Sequence, residues 1–243
     1  MRAATPFLFQ MKENDLVWMK DFAGIYYLGR IESDWEYRDE PAYLQAEMVN
    51  VRKCSFYKVG LDAPGGVMQG FRTGNIVQKI NDYPIHLFSR IAYNRLSGEE
   101  FYDAKGEIGE SADLFRLLTD EELEDLVALY LQKKGYCIIP SSLAGDIPLF
   151  KFQIVQSSTG ERAFVQVSGN AVLNPGIYTH FPYKVFLFSP AGYSGSFGTF
   201  KNVVALKRDE IEDFIKSYQS LMSFSVRLFL DCTKESAAAK KSI

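Results

Sequence analysis

Two periodicities divide the chain. Across residues 13–83, apolar and polar positions alternate in short runs separated by turn residues. "DLVWMK" alternates, "DFAG" turns, "IYYLGRIESDWEY" alternates again, "EMVNVRKCSFYKVG" follows, and "APGG" breaks the pattern at 63–66. A period of two with Gly and Asp punctuation predicts a small β-barrel or curled sheet. In "IHLFSRIAYNRL" the spacing changes, and Ile85, Phe88, Ile91, Ala92 and Leu96 fall at helical intervals. Gly98, Gly106 and Gly109 then mark an irregular acidic stretch, so residues 84–118 read as a helical linker.

The next block opens with "TDEELEDLVALYLQKKGY". Thr119 and Glu122 fit a capping box, and Leu123, Leu126, Val127, Tyr130 and Leu131 form one apolar stripe. Lys133 and Lys134 favour the helix C-terminus, and Gly135 ends it. Strands are expected at "YCIIP", "LFKFQIV", "RAFVQVS", "KVFLFS" and "NVVAL". An amphipathic helix is expected at "KRDEIEDFIKSYQSLM", before the polar tail "CTKESAAAKKSI". This order predicts a mixed sheet flanked by helices. The whole reads as α+β: a β domain over 1–83, a helical linker over 84–118 and an α/β domain over 119–243.

Composition narrows the function. Of the 243 residues, 14% are aromatic, enough for two cores, and the net charge is −3, so bulk charge does not favour nonspecific DNA binding. Any nucleic-acid contact must come from a local patch. Cys54, Cys137 and Cys232 lie far apart, and His86 and His180 are the only histidines, so neither a disulfide framework nor a zinc site is expected. A reducing cytoplasm is the natural setting. The opening "MRAATPFLFQ" lacks a signal-peptide pattern, and no run reaches the roughly 18 apolar residues of a membrane span.

Candidate chemistry clusters in the last block. Metal-dependent phosphodiester cleavage needs hard oxygen ligands for Mg²⁺ and a positive group near the attacking water or the phosphate. Asp146 follows the loop "SSLAGD". Gln166 and Ser168 lie two apart on one strand and therefore share a face. Glu124 stands beside the apolar stripe, and Lys151 lies on the preceding strand. A buried amide such as Gln166 in an apolar strand demands partners.

Over residues 119–215 the chain resembles a Mrr-type restriction endonuclease domain of the PD-(D/E)XK nuclease fold. The matching pieces are "LEDLVALYLQKKGY", Asp146, "FVQVSGN" and "KVFLFS". The resemblance implies a nuclease-like mixed sheet, double-stranded DNA as partner, Mg²⁺-dependent cleavage, phage defence by restricting foreign DNA, and a homodimer to cut both strands. It would make Asp146 and Gln166 the metal ligands and Glu124 their support. Active relatives read Q-x-K where this chain reads Gln166-Val167-Ser168, as if a lysine had dropped out between Val167 and Ser168. Lys151 is the nearby candidate for the missing charge.

In the first block, "DLVWMKDFAGIYYLGRI" resembles SH3-like barrels of the chromo-like and Tudor-like kind. Trp18, Tyr27, Trp35 and Tyr37 are candidates to stack a flipped base or enclose a methylated ammonium group, with Arg72 in "GFRTGN" placed to meet a phosphate. The alternative to an endonuclease is therefore a binding module without chemistry, in which these aromatics read a modified base or a peptide.

Overall fold

The computed structural model describes residues 10–72, 77–108, 113–143, 149–195 and 201–240. The chain divides into two compact units, Met1–Ala112 with Leu228–Ile243, and Asp113–Arg227. Among the described residues, no helix is long and apolar enough to cross a membrane.

In the first unit, β1 (Leu16–Lys20) and β2 (Tyr26–Ile31) form an antiparallel hairpin. Asp21 closes its turn by accepting the Ile25 amide at 2.8 Å, and Gly24 supplies the left-handed residue at φ 84°. The chain then makes an excursion through β3 (Glu36–Tyr37), α1 (Pro41–Gln45) and β4 (Asn50–Val51). β3 and β4 pair as a ribbon. β5 (Cys54–Gly60) returns against β2, giving the sheet order β1-β2-β5. Gly29 sits where the Phe56 ring crosses the sheet, and a Cβ there would lie 2.4 Å from the ring. After α2 (Gly65–Gly70) comes α3 (Tyr83–Ser97). Asp82 caps α3 by accepting the Ile85 amide, and Gly98 ends it in a left-handed conformation.

Two expectations change here. The described residues form a three-stranded sheet and a ribbon, not a closed barrel. A barrel closes when its end strands pair, but β1 and β5 both flank β2, and a helix covers the sheet instead. That helix is α3, expected inside a linker. Leu87, Phe88, Ala92 and Tyr93 are all buried to about 1% exposure or less. The Phe88 ring stacks on Trp18 at 6.1 Å, and Tyr57 meets Tyr93 edge-on at 5.4 Å. A short helix, α4 (Lys105–Ile108), follows.

The second unit opens with α5 (Asp120–Lys133), whose capping box is formed by Thr119 and Glu122 as the sequence predicts. Gly135 takes φ 87° and turns the chain into β6 (Tyr136–Ile138). β7 (Phe152–Gln156) and β8 (Arg162–Val167) complete an antiparallel meander. β9 (Lys184–Phe188) pairs parallel to β8, and β10 (Val203–Ala205) parallel to β9. The sheet is thus mixed, in the order β10-β9-β8-β7-β6. The crossover from β8 to β9 contains only a single-turn helix, Pro175–Tyr178. α6 (Arg208–Ser217) packs against α5, and α7 (Phe224–Lys240) follows it in the chain.

Glu122 carries a testable cost. Its residue is only 4% exposed. Its carboxylate accepts the Thr119 amide at 2.9 Å and the Ser225 hydroxyl. Burial raises its pKa; the Ser225 and Thr119 hydrogen bonds offset this only in part, and the Asp125 charge adds to the rise. An acid whose folded pKa is raised contributes stability that is full below its unfolded pKa and is lost as pH rises through the folded value. The slope reaches about 1.4 kcal/mol per pH unit within that window. Glu122→Gln keeps an acceptor for Thr119 and offers Ser225 a donor. Urea unfolding is expected to show the wild type losing stability relative to this variant as pH rises from 4 to 8. Parallel curves would contradict the assignment.

Candidate functional site

The site is built at the C-terminal end of β8. Side chains on β8 alternate, so Ala163, Val165 and Val167 share one face and Phe164 and Gln166 the other. The parallel register sets Phe164 beside Val185 and Gln166 beside Leu187. Val185 and Leu187 belong to an apolar cluster with Phe150, Leu173 and Tyr178, against which Phe164 packs. An amide on this face is out of place. Its Oε1 is buried and finds no hydrogen-bond partner among the described residues. Such an oxygen costs about 1–3 kcal/mol unless something else satisfies it.

Lys151 lies next to it along the backbone. Phe152 pairs with Val165, and the Lys151 amide donates to the Val165 carbonyl at 2.8 Å, extending the pairing toward Gln166. The Lys151 Nζ stands 2.7 Å from Glu124 Oε1 on α5. Both side chains are partly buried. Burial holds the Glu124 carboxyl above the ordinary carboxylate range; Lys151 pulls it down, and Glu121 and Asp120 push it further up. Burial alone lowers the Lys151 ammonium, but Glu124, Asp120 and Glu121 outweigh that and raise it. Both groups therefore shift upward, Glu124 first because it is buried and Lys151 because its interactions with Glu124, Asp120 and Glu121 outweigh its own burial.

Asp120, in the acidic first turn of α5, ties the end of β8 to that helix. It accepts the Gly169 amide at 3.0 Å. A Cβ on residue 169 would lie 2.6 Å from Asp120 Oδ1, so glycine permits this close approach. Ser168, at the position of the expected lysine, is a turn residue. β8 ends at Val167, the Ser168 amide donates to the Phe188 carbonyl, and its Oγ accepts the Ala171 amide at 3.1 Å. The hydroxyl is therefore occupied in forming the turn.

The structure thus gathers Glu124, Lys151, Gln166 and Ser168 around one strand end. Asp146 lies outside the described residues. The donor chemistry suits a hard divalent cation in part: an orphaned amide oxygen on Gln166 and a carboxylate on Glu124. Among the described residues there is no group of three His, Cys, Asp or Glu side chains able to hold a metal ion.

The aromatic candidates of the first unit do not converge. Trp18 turns inward, stacking on Phe88 and donating Nε1–H to Ser89 Oγ at 3.0 Å. The Tyr27 hydroxyl donates to Asp21 at 3.1 Å. Trp35 and Tyr37 stay exposed at the ribbon, where Trp35 Nε1–H donates to Asn50. Arg72 is exposed, and its amide closes a turn onto Gln69. No protein-family model, curated protein or solved structure matches the chain.

Proposed function

We propose that the second unit is a restriction-endonuclease-like domain that binds double-stranded DNA and, with Mg²⁺, cuts it through a non-standard site. The observation carrying this reading is the buried oxygen of Gln166, without a partner among the described residues, on a strand paired with the one that leads in from the Lys151–Glu124 ion pair, in a meander that continues into parallel strands. Gln166 Oε1 and the Asp146 carboxylate would hold the ion, which when bound polarises the phosphate and activates a water. Lys151 supplies the positive charge that Ser168 lacks. Glu124 fixes the lysine's position, and Asp120 anchors the turn at Gly169. A homodimer would let two such sites meet both strands, and restriction of foreign DNA is the role this activity suits.

Supercoiled plasmid with Mg²⁺ or Mn²⁺ tests the reading. Wild type is expected to nick, and Asp146→Ala and Lys151→Ala are each expected to lower the rate at least a hundredfold while the protein stays folded. Unchanged cutting by both variants would remove the site from the account.

Ser168 at the lysine position favours a second reading, a DNA or peptide binder without chemistry. Trp35 and Tyr37, exposed on one ribbon, are its contact residues. Under it Trp35→Ala abolishes binding and Asp146→Ala does not.

A further inference from the structure

We propose that the first unit binds an acidic, extended peptide as an added strand along the open edge of β1. The proposal is independent of the nuclease reading.

A cavity of about 810 Å³ lies wholly within the first unit, in the size range of ligand sites. Leu16, Val17 and Trp18 of β1 line it. Side chains of consecutive strand residues point to opposite faces. Three consecutive residues bordering one cavity is what a cavity running along the edge of the strand produces. β1 is the outermost strand of its sheet, so among the described residues no strand pairs with that edge.

The hydrogen-bond phase agrees. The Asp15 carbonyl accepts the Ile31 amide at 3.0 Å, and the Asp21 amide reaches the Ile25 carbonyl at 2.9 Å. Odd-numbered residues therefore exchange bonds with β2, and Leu16 and Trp18 direct their N–H and C=O groups outward. Among the described residues, Leu16 and Trp18 make no backbone hydrogen bond beyond the β1–β2 pair. Unpaired edge groups are a template for a further strand.

Side chains choose the strand. The floor is apolar: Val67 and Ile85 belong to a buried cluster against which Trp18 and Ile80 pack. Lys12, Lys79 and Arg90 also line the cavity, against the single carboxylate of Asp15. Asp15 turns back to accept the Lys12 amide at 2.8 Å, and Arg90 is held by Glu107. Lys12 and Lys79 have no carboxylate partner among the described residues. A strand with apolar side chains on one face and carboxylates on the other answers both walls. A flat small molecule would leave the alternating edge donors and acceptors unmet.

The test uses the full chain and a fluorescein-labelled peptide of five Glu-Val repeats, followed by anisotropy. Saturable binding is expected, weakened at least tenfold by Lys79→Glu and by Lys12→Glu, and absent for five Lys-Val repeats. The same Glu-Val peptide fully N-methylated keeps its charge and side chains but cannot donate to the edge, and it is expected to lose binding. No binding of the Glu-Val peptide would overturn the proposal. So would equal affinity for the N-methylated peptide, or full displacement by inorganic triphosphate with no effect of N-methylation. That last result would make the cavity a small-anion site.

Discussion

Gln166→Leu is expected to make the protein more stable and inactive at once. Gln166 sits on a sheet face with Phe164, Val185 and Leu187, and its Oε1 is buried without a partner among the described residues. Leucine has a similar volume and no polar atom, so it removes the desolvation cost without opening a cavity. The gain is about 1–3 kcal/mol, the cost of an unsatisfied buried acceptor. Urea unfolding of wild type and variant in the presence of a chelator reads this directly. The same change removes the ligand through which the proposed ion would be held, so metal-dependent nicking is expected to vanish. A structural glutamine with an unseen internal partner gives the opposite sign, since leucine would orphan that partner. Stability and activity moving in opposite directions is the mark of a polar group retained for function.

The second large effect lies in the first unit. Phe88→Ala is expected to destabilise the protein by about 3–5 kcal/mol, the usual cost of truncating a fully buried aromatic. Phe88 is 1% exposed, stacks on Trp18 at 6.1 Å and meets Phe229 edge-on at 6.2 Å. A helix that only linked two domains would tolerate the change. Tyr43→Ala, on α1, where no side chain is buried, serves as the control and is expected to stay within about 0.5 kcal/mol of wild type. Chemical unfolding followed by Trp18 and Trp35 fluorescence separates the outcomes. A loss below about 1 kcal/mol for Phe88→Ala would return α3 to the role of a connector.

What the sequence disclosed follows from the range of the interactions involved. The capping box at Thr119 and Glu122, the stop at Gly135 and the strands from "LFKFQIV" to "NVVAL" are written in local patterns, and the structure has them where those patterns fall. The role of α3 was hidden because a helical stripe reveals that it will be buried, not against what. Trp18 looked like a binding aromatic because alternation assigns it a face without saying that α3 covers that face. The ion pair between Lys151 and Glu124 joins residues 27 positions apart across a strand and a helix, and no spacing rule anticipates it. Ser168 read as a damaged catalytic position. Its hydroxyl shapes the turn after β8, a role that shows only once the strand's end is known.

The proposed site needs a hard metal ion on Gln166 Oε1. Titration calorimetry of Mn²⁺ into the intact protein, wild type against Gln166→Leu, tests it most directly. A saturable site is expected in the wild type and at least a tenfold weaker one in the variant. Identical isotherms, or no binding to either protein, would contradict it.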